Sequence, residues 1–320
     1  MTEDRAHEWT DRRLAAMENR LTDAYQRAND EIQQKIDEHF RKYAAMDAEK
    51  IKLVQAGKLD EEELLRWRRT QVFIGEQWKE KKEMVTNMLY NANKTALAYI
   101  RGELPEIYAV NFNAVGEVSP AIKAVYPIIN ADVVKNLLAE NQTFLPYKIV
   151  NKKKDVRWNT KKINAEVLQG ILQGESIGKI ASRLQAVTEM NRVSAIRNAR
   201  TMVTGAENKG RYDGRDRLEK MGVITGTKWI ATHDGRARHA HWNAAGTSML
   251  DGQIVDHGKP FRVTYKRGKH FVSGTIRYPG DPSAPPELVY NCRCTTKTVI
   301  KGFKSTLPKE LQGKIKVNWS

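Results

Sequence analysis

The stretch ELVYNCRCTTKTVI, residues 287–300, contains both cysteines of the 320-residue chain. Its β-branched residues predict a strand over residues 287–300. Because alternate side chains of a strand point to the same face, Cys292 and Cys294 are predicted to share one face. Their Cα atoms would lie roughly 6.5–7 Å apart, near the upper limit for a disulfide, so a bond between the two sulfurs would be strained.

Two thiols on one face are better placed to bind a soft cation such as zinc, for which histidine is an obvious further ligand. His241 is the first candidate and His239 the second. On a helix these two side chains would diverge by about 200°, so only one of them could reach the cysteines. The candidates that would complete the site are His233, Asp234 and Asp281. The alternative is a metal-free cluster without a cofactor, in which the cysteines act as small buried hydrophobes.

The first hundred residues are predicted to form a long helical hairpin. Apolar residues at spacings of three and four predict one helix over residues 2–45. Gly57 interrupts the pattern, and Asp60 begins a second helix that runs to about Ile100. We therefore expect a coiled-coil-like domain over residues 1–100, whose apolar stripe forms a core or binds another protein.

Residues 101–222 are predicted to form a helical middle region with basic helices. Gly174 is a plausible C-cap, and Asn191 is the expected N-cap of a later helix. The basic stretch NKKKDVRWNTKK, residues 151–162, either contacts phosphates, with Trp158 stacking on a base, or forms a solvated loop. The candidate DNA-binding residues are Lys152, Lys153, Lys154, Arg157, Trp158, Lys161, Lys162, Arg197, Arg200, Arg211 and Arg215.

After Gly222 the composition changes, because glycine becomes dense and β-branched residues increase. This predicts a small α+β domain over residues 223–300 and a basic tail over residues 301–320. The expected strands are Gly226–Ala231, Phe261–Tyr265, Lys269–Ile276 and Glu287–Ile300. The fold class predicted for the whole chain is α+β, with a long N-terminal helical hairpin, a helical middle region and a few short C-terminal strands.

The net charge of +16 is unevenly distributed. Residues 1–83 carry 17 Lys and Arg against 19 Asp and Glu, whereas residues 84–320 carry 37 against 19. This asymmetry indicates a polyanionic partner, most simply nucleic acid. No apolar run approaches the roughly 18 residues of a membrane span, and the charged N-terminus predicts no secretory signal. Two cysteines without such a signal favour a reducing compartment.

One region resembles a known family, the phage Mu F-like minor head proteins, also called phage head morphogenesis proteins. The resemblance rests on Asp234, Arg236, Arg238 and His241, followed by a Pro-rich loop and Asn291-Cys292-Arg293-Cys294. It covers roughly residues 160–296. Ala237 stands where the family usually has threonine, and Met202 replaces the glutamate of an Arg-Thr-Glu helix. The residues shared with the family that we expect to form a structural polar cluster are Asp234, Arg236, Arg238, Asn291 and Arg293.

The resemblance implies a minor capsid protein of a tailed double-stranded DNA phage, not an enzyme. Its implied location is the virion, in the capsid interior or portal region, after a stage in the host cytoplasm. The implied partners are the portal protein, capsid or scaffold proteins and double-stranded DNA, with no membrane. The basic composition adds the expectation of non-specific contact with packaged DNA.

A metal-dependent nuclease acting on DNA is the alternative function. It is suggested by His, Asp, Asn and Cys residues in a basic domain, but no pair of carboxylates has a spacing typical of a catalytic metal site. An ADP-ribosyltransferase is less favoured, because Met202 occupies the position of the required carboxylate. A host DNA-binding regulator has no helix-turn-helix or zinc-finger spacing to support it.

Overall fold

The computed structural model describes residues 1–72, 76–141, 144–145, 150–232, 241 and 250–317. Within these ranges the chain is α+β, as predicted, with long helices preceding a few short strands. None of the described helices combines the length and apolar composition that crossing a bilayer requires.

Long helices make up most of the N-terminal two thirds of the chain. The helices α1 to α9 span Glu3–Gln55, Glu61–Trp67, Glu76–Val115, Pro120–Lys123, Ala131–Glu140, Lys152–Leu172, Ile177–Lys220, Pro286–Val289 and Lys309–Gln312. A π-helical turn over Arg68–Val72 follows α2, and a 3-10 turn over Gly116–Val118 follows α3. The Asp60 side chain accepts a hydrogen bond from the backbone of Glu62 and caps α2, which confirms the predicted helix start.

Within the described ranges, five strands form two separate antiparallel sheets. The strands β1 to β5 span Val223–Ile230, Ile254–Asp256, Phe261–Arg267, His270–Ile276 and Thr295–Phe303. One sheet has the order β2-β1-β5, and the other is the hairpin β3-β4. The long register of β1 against β5, from Val223 opposite Phe303 to Ile230 opposite Thr295, fixes where the end of the cysteine segment lies.

The chain divides into two compact units. Unit 1 consists of Met1–Met17, Tyr99–Lys148 and Arg197–Ser320, and unit 2 consists of Glu18–Ala98 and Ile149–Ile196. This grouping differs from the boundaries predicted near residues 100 and 222.

Unit 2 has a helical core to which α1, α3, α6 and the first part of α7 contribute. Its fully buried apolar side chains include Ile36, Leu89, Ile163 and Ile180. The helical hairpin expected for residues 1–100 therefore packs together with residues that were predicted to belong to the middle region.

Two helices continue past the boundaries that the sequence predicts near Ile100 and at Asn191. α3 contains Pro105 and extends to Val115, because Leu104, Ile107 and Tyr108 are buried and their packing outweighs the lost backbone hydrogen bond. α7 passes through Asn191 without a break, so the predicted N-cap at that residue is wrong. The Asn191 amide instead donates to the Val187 carbonyl and to the Asn159 side chain.

Candidate metal centre

His241, Cys292 and Cys294 form a buried cluster in unit 1. One potential ligand atom from each residue lies within 4.8 Å of the other two. His241 Nδ1 is 3.6 Å from the Cys292 sulfur and 3.4 Å from the Cys294 sulfur. The three side chains are 1–3% exposed, and both cysteines are free thiols. The structure thus brings together His241 and the two cysteines, as the sequence predicts.

A turn, and not a strand, brings the two sulfurs together. The prediction of a strand over residues 287–300 is wrong in its first half, because α8 ends at Val289 and β5 begins at Thr295. Asn291 adopts φ 59°, a left-handed conformation that asparagine tolerates better than most residues with a side chain. The chain then approaches the site with both cysteine side chains inward, and the backbone N–H of Cys294 donates to the Cys292 sulfur at 3.4 Å.

Helix α7 holds the cysteine turn in place through side chains that the sequence analysis did not single out. The Thr204 hydroxyl donates to the Cys292 carbonyl at 2.6 Å, and the Asn208 amide donates to the Cys294 carbonyl at 3.1 Å. Thr204 and Asn208 lie one helical turn apart and are both buried, so they present one polar face of α7 to the turn. In the sequence, the only indication of this role is the spacing of four residues between Thr204 and Asn208, and that spacing is common in helices.

Aromatic residues enclose the histidine side of the cluster. The indole of Trp229 meets the His241 ring edge to face at 5.4 Å, and Phe261 meets Trp229 in the same way at 5.2 Å. His241 Nε2 is buried and has no hydrogen-bond partner among the described residues. Nδ1 is the imidazole nitrogen that faces the sulfurs, because it lies 3.6 and 3.4 Å from them.

The surroundings of Cys294 favour its neutral thiol. The hydrogen bond with Cys292 raises its pKa well above the usual value, burial raises it further, and His241 opposes this only in part. Two sulfurs and one imidazole nitrogen form a soft donor set without a carboxylate, which suits zinc better than magnesium or calcium.

Several predicted members of the site lie elsewhere or outside the described residues. Residues 233–240 and 242–249 are not described, and the predictions for His233, Asp234, Arg236, Arg238 and His239 fall there. Asp281 does not join the cluster, because its carboxylate binds Arg277 and Ser283. These contacts outweigh the effect of burial and lower the Asp281 pKa. Asn291 accepts a hydrogen bond from Arg200, and the Arg293 carbonyl accepts one from Thr232.

The basic stretch at residues 151–162 is helical, not a loop. Asn151 caps α6, and the side chains of Lys152, Lys153, Lys154, Arg157, Trp158 and Lys161 are exposed, whereas Lys162 is half-buried. Trp158 is 40% exposed, with the Lys162 ammonium 5.6 Å from its ring centroid. On α7, Arg197 is exposed and Arg200 is half-buried.

Arg211 and Arg215 are structural, so the prediction that they contact DNA is wrong. Both are at most 1% exposed. Arg211 donates to the Thr296 carbonyl at 2.6 Å and to Asn111 at 2.9 Å, and Arg215 lies 3.7 Å from the Glu3 carboxylate. Burial lowers the Arg215 pKa to about 10. Sequence spacing placed these arginines on a basic helix face, but it could not show that β5 and the start of α1 cover that face.

The fold and the site define a small α+β domain that closes over a buried Cys-Cys-His cluster. Residues 161–297 match the family described as Phage Mu protein F like protein. That segment contains α7, the strands β1 to β4, the first residues of β5 and the complete cluster. It matches the Mu F-like family, as the resemblance predicted. The family suggests a protein of phage head morphogenesis, typically structural and associated with the virion.

A curated relative is similar over a longer stretch. The NAD(+)--arginine ADP-ribosyltransferase EFV of Enterococcus faecalis (strain ATCC 700802 / V583) is 28% identical over 200 residues, which cover 62% of this chain. The chain spans 37% of the length of that relative. No solved structure matches the chain.

Proposed function

We propose that this protein is a minor capsid protein of a tailed double-stranded DNA phage, which associates with the portal or inner capsid and contacts packaged DNA without sequence preference. The observation that carries the proposal is the Mu F-like match over residues 161–297. The buried Cys-Cys-His cluster and the anchoring of its turn by α7 support a stable structural domain. The portal, capsid and DNA partners are part of this proposal.

The DNA contact is assigned to one exposed face of α6, here called the α6 basic face, formed by Lys153, Lys154, Arg157, Trp158 and Lys161. At 100° per residue these five side chains fall within a sector of about 140° on the helix. The opposite side of α6 carries Asn159, Ile163 and Val167, which are buried in unit 2. The basic residues are therefore displayed together on the solvent side.

The charge at the start of α6 is unfavourable for the helix itself. Three consecutive lysines, Lys152 to Lys154, lie in the first turn, where the helix dipole favours acidic residues. Each such lysine costs an exposed helix roughly 0.3–1 kcal/mol. A polyanion bound at this end would convert the repulsion into attraction, and this supports phosphate contact over a merely solvated surface.

A salt series with duplex DNA of random sequence tests the contact. The variant K153Q/R157Q/K161Q removes one row of the α6 basic face, and R41Q/K52Q/K58Q is a control that removes three exposed charges from the same unit. Each lost phosphate contact lowers the slope of log affinity against log salt by about 0.9, so the first variant should lose about 2–3 units of slope. The control should keep the wild-type slope. Equal slopes for all three proteins would contradict the assignment.

The capsid role is tested by the composition of purified particles. We expect the protein in DNA-filled heads at a few copies per particle, and we expect chemical cross-linking within those heads to join it to the portal protein. Its absence from carefully purified heads that package DNA normally would contradict a virion role. Cross-links to the major capsid protein without any to the portal would overturn the portal assignment alone.

Arginine ADP-ribosylation is a second candidate function, because the Enterococcus faecalis relative is named for this activity. The match covers only 37% of that relative. Residue 202 of this chain is a methionine, 3% exposed, so the Arg200-Thr201-Met202 segment has no carboxylate at this position to offer a cofactor. Incubation with labelled NAD+ and an arginine-rich acceptor protein tests it. Transfer of label by the purified chain would support this candidate, and transfer at the level of a heat-inactivated control would reject it.

A further inference from the structure

We propose that His241, Cys292 and Cys294 bind one Zn²⁺ ion and that this ion stabilises the domain around β1 and β5. The proposal is independent of the capsid role, because it concerns only the donor atoms and their surroundings. Of the two interpretations of the cysteines, it adopts the zinc site over the metal-free cluster.

The first argument is the distance between the donor atoms. Zinc binds cysteine sulfur at about 2.3 Å and histidine nitrogen at about 2.0–2.1 Å in tetrahedral sites, which places sulfur and nitrogen about 3.5–3.6 Å apart. His241 Nδ1 is 3.6 Å from one sulfur and 3.4 Å from the other. Both nitrogen–sulfur distances are therefore close to the edge length of a zinc tetrahedron, and the two sulfurs lie within 4.8 Å of each other.

The second argument is the hydrogen-bond capacity of the histidine. His241 Nδ1 has a single lone pair, so it can accept a proton from only one of the two thiols that lie within reach. A cation between the three residues uses one lone pair from each of them at the same time. In the metal-free interpretation, one of the two close sulfur–nitrogen contacts is thus only a packing contact, and the second hydrogen bond runs between the two sulfurs.

The third argument is charge. The three side chains are nearly completely buried, where a net charge would be costly. Two thiolates and a neutral imidazole around Zn²⁺ form a complex without net charge, which is compatible with this burial. The Cys294 backbone N–H that donates to the Cys292 sulfur would further stabilise that sulfur as a thiolate.

The fourth argument is that the site is built before an ion binds. The carbonyls of both cysteines are held by Thr204 and Asn208 on α7, and the His241 ring packs against Trp229. The ligands therefore lose little freedom on binding. An ion at this position would connect the cysteine turn directly to His241, which lies 51 residues earlier in the chain, and would stabilise a domain that has few strands.

Metal analysis of the purified full chain tests the proposal. After exposure to Zn²⁺ and removal of excess metal, the wild-type protein should hold about one zinc per chain, and H241N and C294S should hold less than about 0.2. The variant H270N is the control, because His270 is exposed on β4 and should not change the zinc content. Wild-type protein with less than about 0.2 zinc per chain would overturn the proposal, as would full zinc content in both cluster variants.

A second measurement uses only the wild-type chain, in case the cluster variants fail to fold. Co²⁺ in place of zinc should give the strong visible absorption of a tetrahedral site and a near-ultraviolet band from sulfur coordination. Added Zn²⁺ should displace both signals at one equivalent. A Co²⁺ spectrum that matches the free hexahydrate, with helix content unchanged by circular dichroism, would overturn the proposal.

Discussion

At the residue scale, the site depends on the conformation of one asparagine. The spacing of Cys292 and Cys294 was enough to predict that their sulfurs lie close together, but not how the backbone achieves it. Asn291 in the left-handed region reverses the chain direction before the cysteines, and its side chain accepts a hydrogen bond from Arg200. Sequence alone gives no such conformation, because asparagine also occurs in strands, turns and helix caps.

Substitution of Asn291 tests this conformation. We expect N291V to lower the free energy of unfolding by about 1–2 kcal/mol more than N291G, because a β-branched residue is strained in the left-handed region and glycine is not. Both variants lose the hydrogen bond from Arg200, so the difference between them isolates the backbone. Urea unfolding at equal metal content measures it. Equal stabilities for the two variants would show that the turn does not require the left-handed conformation.

At the element scale, the helices were the most predictable part of the fold, and their interruptions were the least. Apolar spacing and the Asp60 cap identified α1 and α2 correctly in type, because those signals are local. The helix end predicted near Ile100 and the N-cap predicted at Asn191 do not exist, since burial of the surrounding side chains outweighs local propensity there. The burial of Arg211 and Arg215 was equally invisible, because it depends on strand β5 about 80 residues later.

The close approach of α3 and α7 in unit 1 gives a prediction at this scale. A Cβ atom at Gly210 would lie 2.4 Å from the Tyr108 carbonyl oxygen, whereas one at Gly102 would meet nothing within 4 Å. We therefore expect G210A to destabilise the protein by about 1–3 kcal/mol through overpacking. The control G102A should stabilise it by up to about 1 kcal/mol, because alanine is the better helix former. Thermal and urea unfolding measure both; stabilisation by G210A would contradict the packing.

The contact between the first turns of α1 and helix α7 predicts a pH dependence. His7 Nδ1 lies 2.9 Å from the buried Glu207 carboxylate, with Asp11 and Arg211 nearby. Burial alone would lower the His7 pKa, but Glu207 outweighs it, so the pKa is raised above 6.5. A histidine whose pKa is raised in the folded state stabilises the protein at pH values below its unfolded pKa. This contribution is lost as the pH rises through its folded pKa.

The variant H7Q isolates that contribution. The stability difference between wild type and H7Q should be largest at about pH 6, which is below the unfolded pKa of His7. It should shrink as the pH rises through the folded pKa of His7. Urea unfolding of both proteins over a pH series measures it, with H270Q as a control at an exposed histidine. A difference that stays constant, or that grows with pH, would show that His7 does not gain a proton from its contact with Glu207.

At the scale of the whole molecule, charge and fold support one account. The strongly basic part of the chain begins after residue 83, yet two of its arginines are buried and only part of the remaining charge forms the α6 basic face. Net charge therefore leads to the expectation of a polyanionic partner, but it does not locate the surface that would bind one. The pattern of Asp234, Arg236, Arg238 and His241 together with the distant Asn-Cys-Arg-Cys segment predicted the Mu F-like match correctly, because the two halves combined are specific, whereas either alone would be weak.

The central claim, a role in assembling DNA-filled heads, is tested most directly by counting those heads in the absence of the protein. Lysates of a phage whose copy of this gene carries an early stop codon would be compared with the same phage supplied with the wild-type chain from a plasmid. We predict that DNA-filled heads fall sharply without the protein and recover with the plasmid. An unchanged number of DNA-filled, infectious particles in the absence of the protein would contradict the account.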